Sequence, residues 1–145
     1  MYKKIVVPLD GSKLAESVLP HVRACAKSFS AEVFLLRVAH VPAEFIFSDP
    51  AAAGSVLADD SEGYLAGLAG TMRGEGLTVT TYVAKGPVAD AILGYADSIA
   101  ADMIAMSTHG RSGLSRWMVG SVADKVVHGA TIPILLIRPA EAGKG

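Results

Sequence analysis

Residues 103–127 read MIAMSTHGRSGLSRWMVGSVADKVV. The apolar run Met103 to Met106 predicts a strand. Val122, Ala123, Val126 and Val127 recur at helical spacing and predict a helix starting near Gly120. Between them lies a polar loop with Gly110, Gly113, Gly120 and several hydroxyls. A strand that runs through a glycine loop into a helix is the building unit of an α/β sheet.

The same alternation extends toward both ends of the chain. Ile5-Val6-Val7 predicts a buried first strand that ends in Pro8-Leu9-Asp10-Gly11. Leu14, Val18, Val22, Ala26 and Phe29 predict one helix from Leu14 to Phe29, with Ser12 as its cap. Val33 to Val38 is apolar apart from Arg37 and predicts a second strand. Leu77 to Val83 alternates, as a half-exposed strand should. Gly86-Pro87 opens a helix with proline at or near its first position, and Val88, Ile92, Ala96 and Ile99 line one face. Ile134 to Ile137 predicts the last strand. Strands apolar on both faces, alternating with helices, predict a doubly wound open sheet of five parallel strands. The expected order is 3-2-1-4-5, with helices on both faces. Ligands bind such sheets outside the carboxyl ends of strands where the order reverses, here near Asp10 and Ser107 to Gly110.

Two stretches are less regular. Val41 to Val56 holds Pro42, Pro50 and Gly54 and predicts a long loop, either an insertion or a lid. The following helix, about 57–73, carries Leu57, Tyr64, Leu65, Leu68 and Met72 but also Gly63, Gly67 and Gly70. The small, polar residues after Pro139 are expected to fray.

Composition narrows the function. The chain has 145 residues, an ordinary length for one domain, so 1–145 is read as a single unit. Its 13 Lys+Arg against 14 Asp+Glu give a net charge of -1, unlike a general nucleic-acid binder. One cysteine excludes an intramolecular disulfide framework. No apolar run approaches the roughly 18 residues of a membrane span, and the N-terminal segment lacks a secretory apolar stretch. A cytoplasmic protein is expected.

The glycine loop is a physical anion site. Amides at a helix N-terminus point outward, and the helix dipole favours negative charge. Hydrogen bonds to a charged group contribute about 1.5–3 kcal/mol each. Arg111 and Arg116 add positive charge nearby. A second reading stands beside this one. The glycines permit turns, and Ser121-Val122-Ala123-Asp124 reads as a capping box with Ser121 as the cap. Asp124 would repel a phosphate unless its carboxylate turns away.

The loop resembles the nucleotide-binding signature of the universal stress protein family, Gly-x2-Gly-x9-Gly-Ser/Thr. Gly110, Gly120 and Ser121 match it, while Ser107 stands where the first glycine would be. The resemblance covers nearly the whole chain. It includes Ile5 to Ser12, the Gly86-Pro87 helix start, Ala101-Asp102-Met103-Ile104 and Pro133 to Ile137. A Cβ at Ser107 limits how closely backbone and ligand approach, although its N–H remains. The resemblance implies ATP or AMP as ligand, with Mg2+ as an accompanying cation. Asp10 would accept from a ribose hydroxyl. Pro8, Leu9, Val38 and Met106 would enclose the adenine, with Val38 offering its backbone. Ser107 and Gly110 would sit against ribose and phosphates. Gly120, Ser121 and Val122 would contact the phosphates. The resemblance also implies a homodimer through the last strand, Ile132 to Ile137, which is apolar on both faces yet lies at the sheet edge.

The remaining candidates read as structural. Asp10-Gly11 is also a common turn. His109 is expected to be an exposed loop residue rather than a catalytic acid. His21, His40 and His128 lack metal-ligand spacing. Cys25 lies on an apolar helix face and reads as a small buried hydrophobe. Trp117 reads equally as a partner contact or a cover over the loop.

Three functions remain open. One is an adenine-nucleotide-binding regulator in stress response with little or slow ATP hydrolysis. The second is a slow nucleotide hydrolase using His109 or Asp124 as base. The third is a dimeric interaction module that has lost the nucleotide. A phosphoacceptor signalling domain is excluded, because Asp10 is the only acid after the first strand and Arg138 follows the last.

Overall fold

The computed structural model describes residues 1–39, 50–109 and 120–139. Its elements are β1 (Lys4–Leu9), α1 (Lys13–Glu16), α2 (Leu19–Phe29), β2 (Glu32–Ala39), α3 (Pro50–Gly74), β3 (Thr78–Lys85), α4 (Val88–Ser98), β4 (Met103–Ser107), α5 (Ser121–Gly129) and β5 (Ile134–Ile137). The strands form one five-stranded sheet in the order β3-β2-β1-β4-β5, as expected. Every pairing is parallel, including Ile5 with Val33 and Ile5 with Met103.

Alternation along β1 assigns its residues to two cores. Ile5, Val7 and Leu9 pack with Val33, Leu35, Met103 and Ala105 beneath Val18 just ahead of α2, Val22 of α2, and Leu65 and Met72 of α3. Val6 packs with Phe34, Leu36, Ile104 and Met106 beneath Ile92 and Ala96 of α4 and Val126 of α5. Ile5, Val6 and Val7 have no exposed surface, which is why this strand is apolar on both faces and lies at the sheet centre. Each such side chain contributes about 1.5–3 kcal/mol through burial.

Several boundaries differ from the sequence expectation. The helix from Leu14 to Phe29 is two helices with a turn at Ser17 and Val18. Pro20 lies in the first turn of α2; it has no N–H to offer Glu16, and its ring would clash with that carbonyl in a continuous helix. Ser12 does cap α1, accepting from the Ala15 N–H at 3.2 Å. The Val41–Val56 loop is also shortened. Residues 41–49 lie outside the described residues, and Pro50 to Val56 are already helical. Proline suits a first turn and the alanines 51–53 are strong helix formers, so the run needs no amphipathic period to be helical. Pro87 is the N-cap of α4 rather than its first residue. β3 runs on to Lys85.

Polar ties fix the helices to the sheet. The Tyr64 hydroxyl on α3 donates to Glu16 of α1 at 2.6 Å. Burial, then that carboxylate, pushes the Tyr64 phenol well above the usual tyrosine range. At the opposite end of the sheet Asp102 accepts from the Lys3 and Lys4 N–H groups at 2.8 and 2.9 Å. Cys25 is half-buried against the first core, in keeping with a hydrophobic role. Among the described residues no helix is long and apolar enough to cross a membrane.

Candidate functional site

The carboxyl ends of β1 and β4 open into a cavity of about 320 Å³. That lies in the roughly 300–1,000 Å³ range of small-molecule sites. Pro8, Leu9 and Asp10 line it from β1, Val38 from β2, and Met106 and Ser107 from β4. Gly120, Ser121 and Val122 close it at the start of α5. Gly110 and Arg111 lie outside the described residues, as do Arg116, Trp117 and His40. Ala15, Val88, Ile92, Thr108, His109 and Ala123 also line the cavity, unassigned from sequence. Val88 and Ile92 were legible as the inner face of a helix, but not as a wall of this hollow.

At the first strand end the backbone turns sharply. Gly11 sits at φ 86, in the left-handed region that favours glycine. Asp10 Oδ1 accepts the Ser12 N–H at 2.9 Å and also the Ser12 hydroxyl. The turn-forming role of Asp10 is therefore real, and its carboxylate lines the cavity as well.

The β4–α5 junction is built differently. The Gly120 N–H donates to the Thr108 carbonyl at 2.8 Å, and the Thr108 N–H donates to Ile137 at 2.8 Å. Gly120 is the N-cap of α5, and no side-chain hydrogen bond caps the helix. The expected capping box is thus absent, because Ser121 is the first helical residue rather than the cap. Asp124 offers its own N–H to the Gly120 carbonyl. The N–H groups of Ser121, Val122 and Ala123 have no partner among the described residues, and all three residues line the cavity. Asp124 Oδ1 lies 3.5 Å from His128 Nδ1, one helical turn toward the C-terminus of α5. Its carboxylate pairs along the helix with His128.

Gly120 is required by close approach, not by an unusual torsion. Its φ is -61°, ordinary for any residue. A Cβ there would lie 2.8 Å from the Thr108 carbonyl oxygen. Ser107 is buried, and its hydroxyl accepts the His109 N–H at 3.3 Å. It is not among the described residues with positive φ, so a side chain causes no backbone strain at this position.

His109 is not exposed, contrary to the expectation from its polarity. Only 6% of its surface is accessible. Its Nδ1 lies 2.9 Å from Thr108 Oγ1, while its Nε2 is buried and has no hydrogen-bond partner among the described residues. Its backbone lies beside Gly120 at the start of α5, a neighbour far away in sequence that local polarity does not reveal.

The cavity joins an apolar wall (Val38, Val88, Ile92, Met106), one carboxylate and a row of outward amides. That combination suits a flat apolar group linked to an anion. Among the described residues no cluster of three or more metal-ligating side chains occurs.

Residues 1–138 match the model of the universal stress protein family. Universal stress protein MJ0531 of Methanocaldococcus jannaschii is 33% identical over 144 residues, covering 95% of this chain and 83% of that protein. The structure of MJ0577, from the same organism, superposes with a TM-score of 0.85 at 27% identity, covering 98% of this chain and 99% of the other. An Arabidopsis thaliana universal stress protein family structure with AMP bound has a TM-score of 0.71 at 14% identity, covering 99% and 95% of the two chains.

Proposed function

The chain belongs to the universal stress protein family, and from that premise we propose that residues 1–145 are one adenine-nucleotide-binding regulatory domain. It binds ATP or AMP, with Mg2+ accompanying ATP, hydrolyses it slowly or not at all, and acts in the cytoplasm in response to stress. The single observation that carries this reading is the uncapped N-terminus of α5. Its three outward amides line the same cavity as Val38 and Met106. In the proposed pose Pro8, Leu9, Val38 and Met106 hold the base. Asp10 meets the ribose. Ser107, Gly110, Gly120, Ser121 and Val122 hold the phosphates, with Arg111 adding charge. The Arabidopsis neighbour with AMP bound shares the fold and supports the ligand class.

The groups among the described residues support slow turnover. Of the two candidate bases, His109 is buried with Nδ1 engaged, and Asp124 does not line the cavity. Neither is placed as a free base for activating water. Isothermal titration with AMP and ATP–Mg2+ tests the reading. A dissociation constant below about 100 μM, or roughly -5.5 kcal/mol, is expected. No heat up to millimolar nucleotide would rule it out.

The edge position of β5 favours a second reading, a homodimer, which is compatible with the first. Ile134–Ile137 are all half-buried at the end of the sheet. The Pro133 and Ile137 carbonyls accept from β4, so the backbone groups of Ile134 and Leu136 face outward. Leu136→Pro removes one outward N–H without touching the β4 ladder. It should convert a dimer to monomer in sedimentation velocity. A wild-type monomer at the highest concentrations would end this reading.

A further inference from the structure

We propose that Arg73 guards the β3 edge of the sheet: by covering the Val79 carbonyl it keeps a second copy of this chain from pairing with β3. The inference does not rest on the nucleotide reading. β3 is the outermost strand on its side of the sheet. In a parallel ladder each residue turns both backbone groups to one neighbour, and the next residue turns them to the other. The Glu32 N–H donates to the Lys3 carbonyl at 2.8 Å, so Glu32 and Phe34 serve β1, while Val33 and Leu35 serve β3. Val33 is level with Val79 and therefore bonds Thr78 and Thr80. Val79, Thr81, Val83 and Lys85 then turn their N–H and C=O groups outward. Such a row is a template for another strand. Beside it Tyr82, half-exposed, stacks on Tyr95 at 4.6 Å and adds aromatic surface to the template.

The last turn of α3 closes the start of this row. The Leu77 N–H donates to the Met72 carbonyl at 3.2 Å, and Arg73 Nε and Nη2 donate to the Val79 carbonyl at 3.1 and 2.6 Å. Two donors of one guanidinium on a single acceptor place the cation across the edge itself. Lys85 ends the row and is exposed. The stretch between, Thr81 to Val83, is shorter than the roughly five residues of an ordinary strand. Two copies related by a two-fold axis would pair antiparallel at this edge. In the register centred on Tyr82, Val79 of one copy faces Lys85 of the other, since the two are equally far from the centre. Arg73 then meets a second cation besides blocking the carbonyl. Like charges facing each other across strands oppose pairing.

Sedimentation velocity over a concentration series tests this, with wild type as the reference. Arg73→Met removes both the donors and the charge. It should add a species of about twice the wild-type mass at concentrations where wild type shows none. Arg73→Glu should form that species at lower concentration than Arg73→Met, because a carboxylate then faces Lys85, and added salt should weaken it. Thr81→Pro removes an outward N–H without touching the ladder to β2 and should return either variant to the wild-type mass. Association of Arg73→Met that Thr81→Pro leaves intact would place the contact elsewhere and overturn the inference. Wild-type sedimentation of both Arg73 variants would overturn it as well. Should Arg73→Met not fold by circular dichroism, Arg73→Glu with and without Thr81→Pro decides.

Discussion

Two strand-to-helix junctions sit side by side at the carboxyl edge of the sheet, and they are built on opposite principles. After β1, Asp10 accepts from Ser12, and Ser12 accepts from Ala15, so the start of α1 is closed by its own side chains. After β4, a residue with no side chain occupies the cap, and the first amides of α5 stay open to the cavity. Both helices face the same shortage of acceptors for their first N–H groups. One solves it internally. The other leaves it open to the cavity. In the proposed reading, the binding site is a capping interaction withheld.

The largest expected effect tests the open junction. Gly120→Val drives a side chain into the Thr108 carbonyl and should cost about 2–3 kcal/mol in urea unfolding, with AMP binding lost. A variant as stable as wild type that still binds AMP would break the comparison. The next test sets the two serines against each other. Ser12→Ala should cost about 1 kcal/mol, because a true cap is lost. Ser121→Ala should stay within about 0.5 kcal/mol, because Ser121 caps nothing. Equal losses would mean that the β4–α5 junction is closed after all.

The smallest effect lies at the far end of the sheet and serves as a control. The Lys4 N–H, then the Lys3 N–H, hold the Asp102 carboxyl below its ordinary 3.8. The folded state therefore prefers the ionised form. That preference stabilises the fold above pH 3.8 and fades as pH falls through the lower folded value. Wild type should lose its stability advantage over Asp102→Asn on acidification through that window. The gap between the two should leave AMP affinity at neutral pH untouched.

How much of this was legible in the sequence follows from the range of the forces involved. Ile5-Val6-Val7 announced a central strand because burial on both faces leaves no polar position. The start of α5 was legible as a candidate anion site because amides and helix dipoles are local features. The break at Ser17 and Val18 was missed although Pro20 was in plain view, since the apolar spacing runs straight through it. The helical start at Pro50 was missed because helix propensity there comes from alanine, not from periodicity. The burial of His109 was out of reach. It depends on β5, the start of α5 and the Thr108 hydroxyl, which meet only in the fold.

The tight packing of Gly120 on Thr108 separates two demands that a signature motif merges. Architecture alone forbids any larger residue at that position, whatever the hollow contains. A descendant that abandoned its ligand would therefore keep this glycine unchanged. Loss of function in such chains would first be written in neighbours under no steric veto, and Ser107, whose hydroxyl has turned inward to its own main chain, stands at such a position.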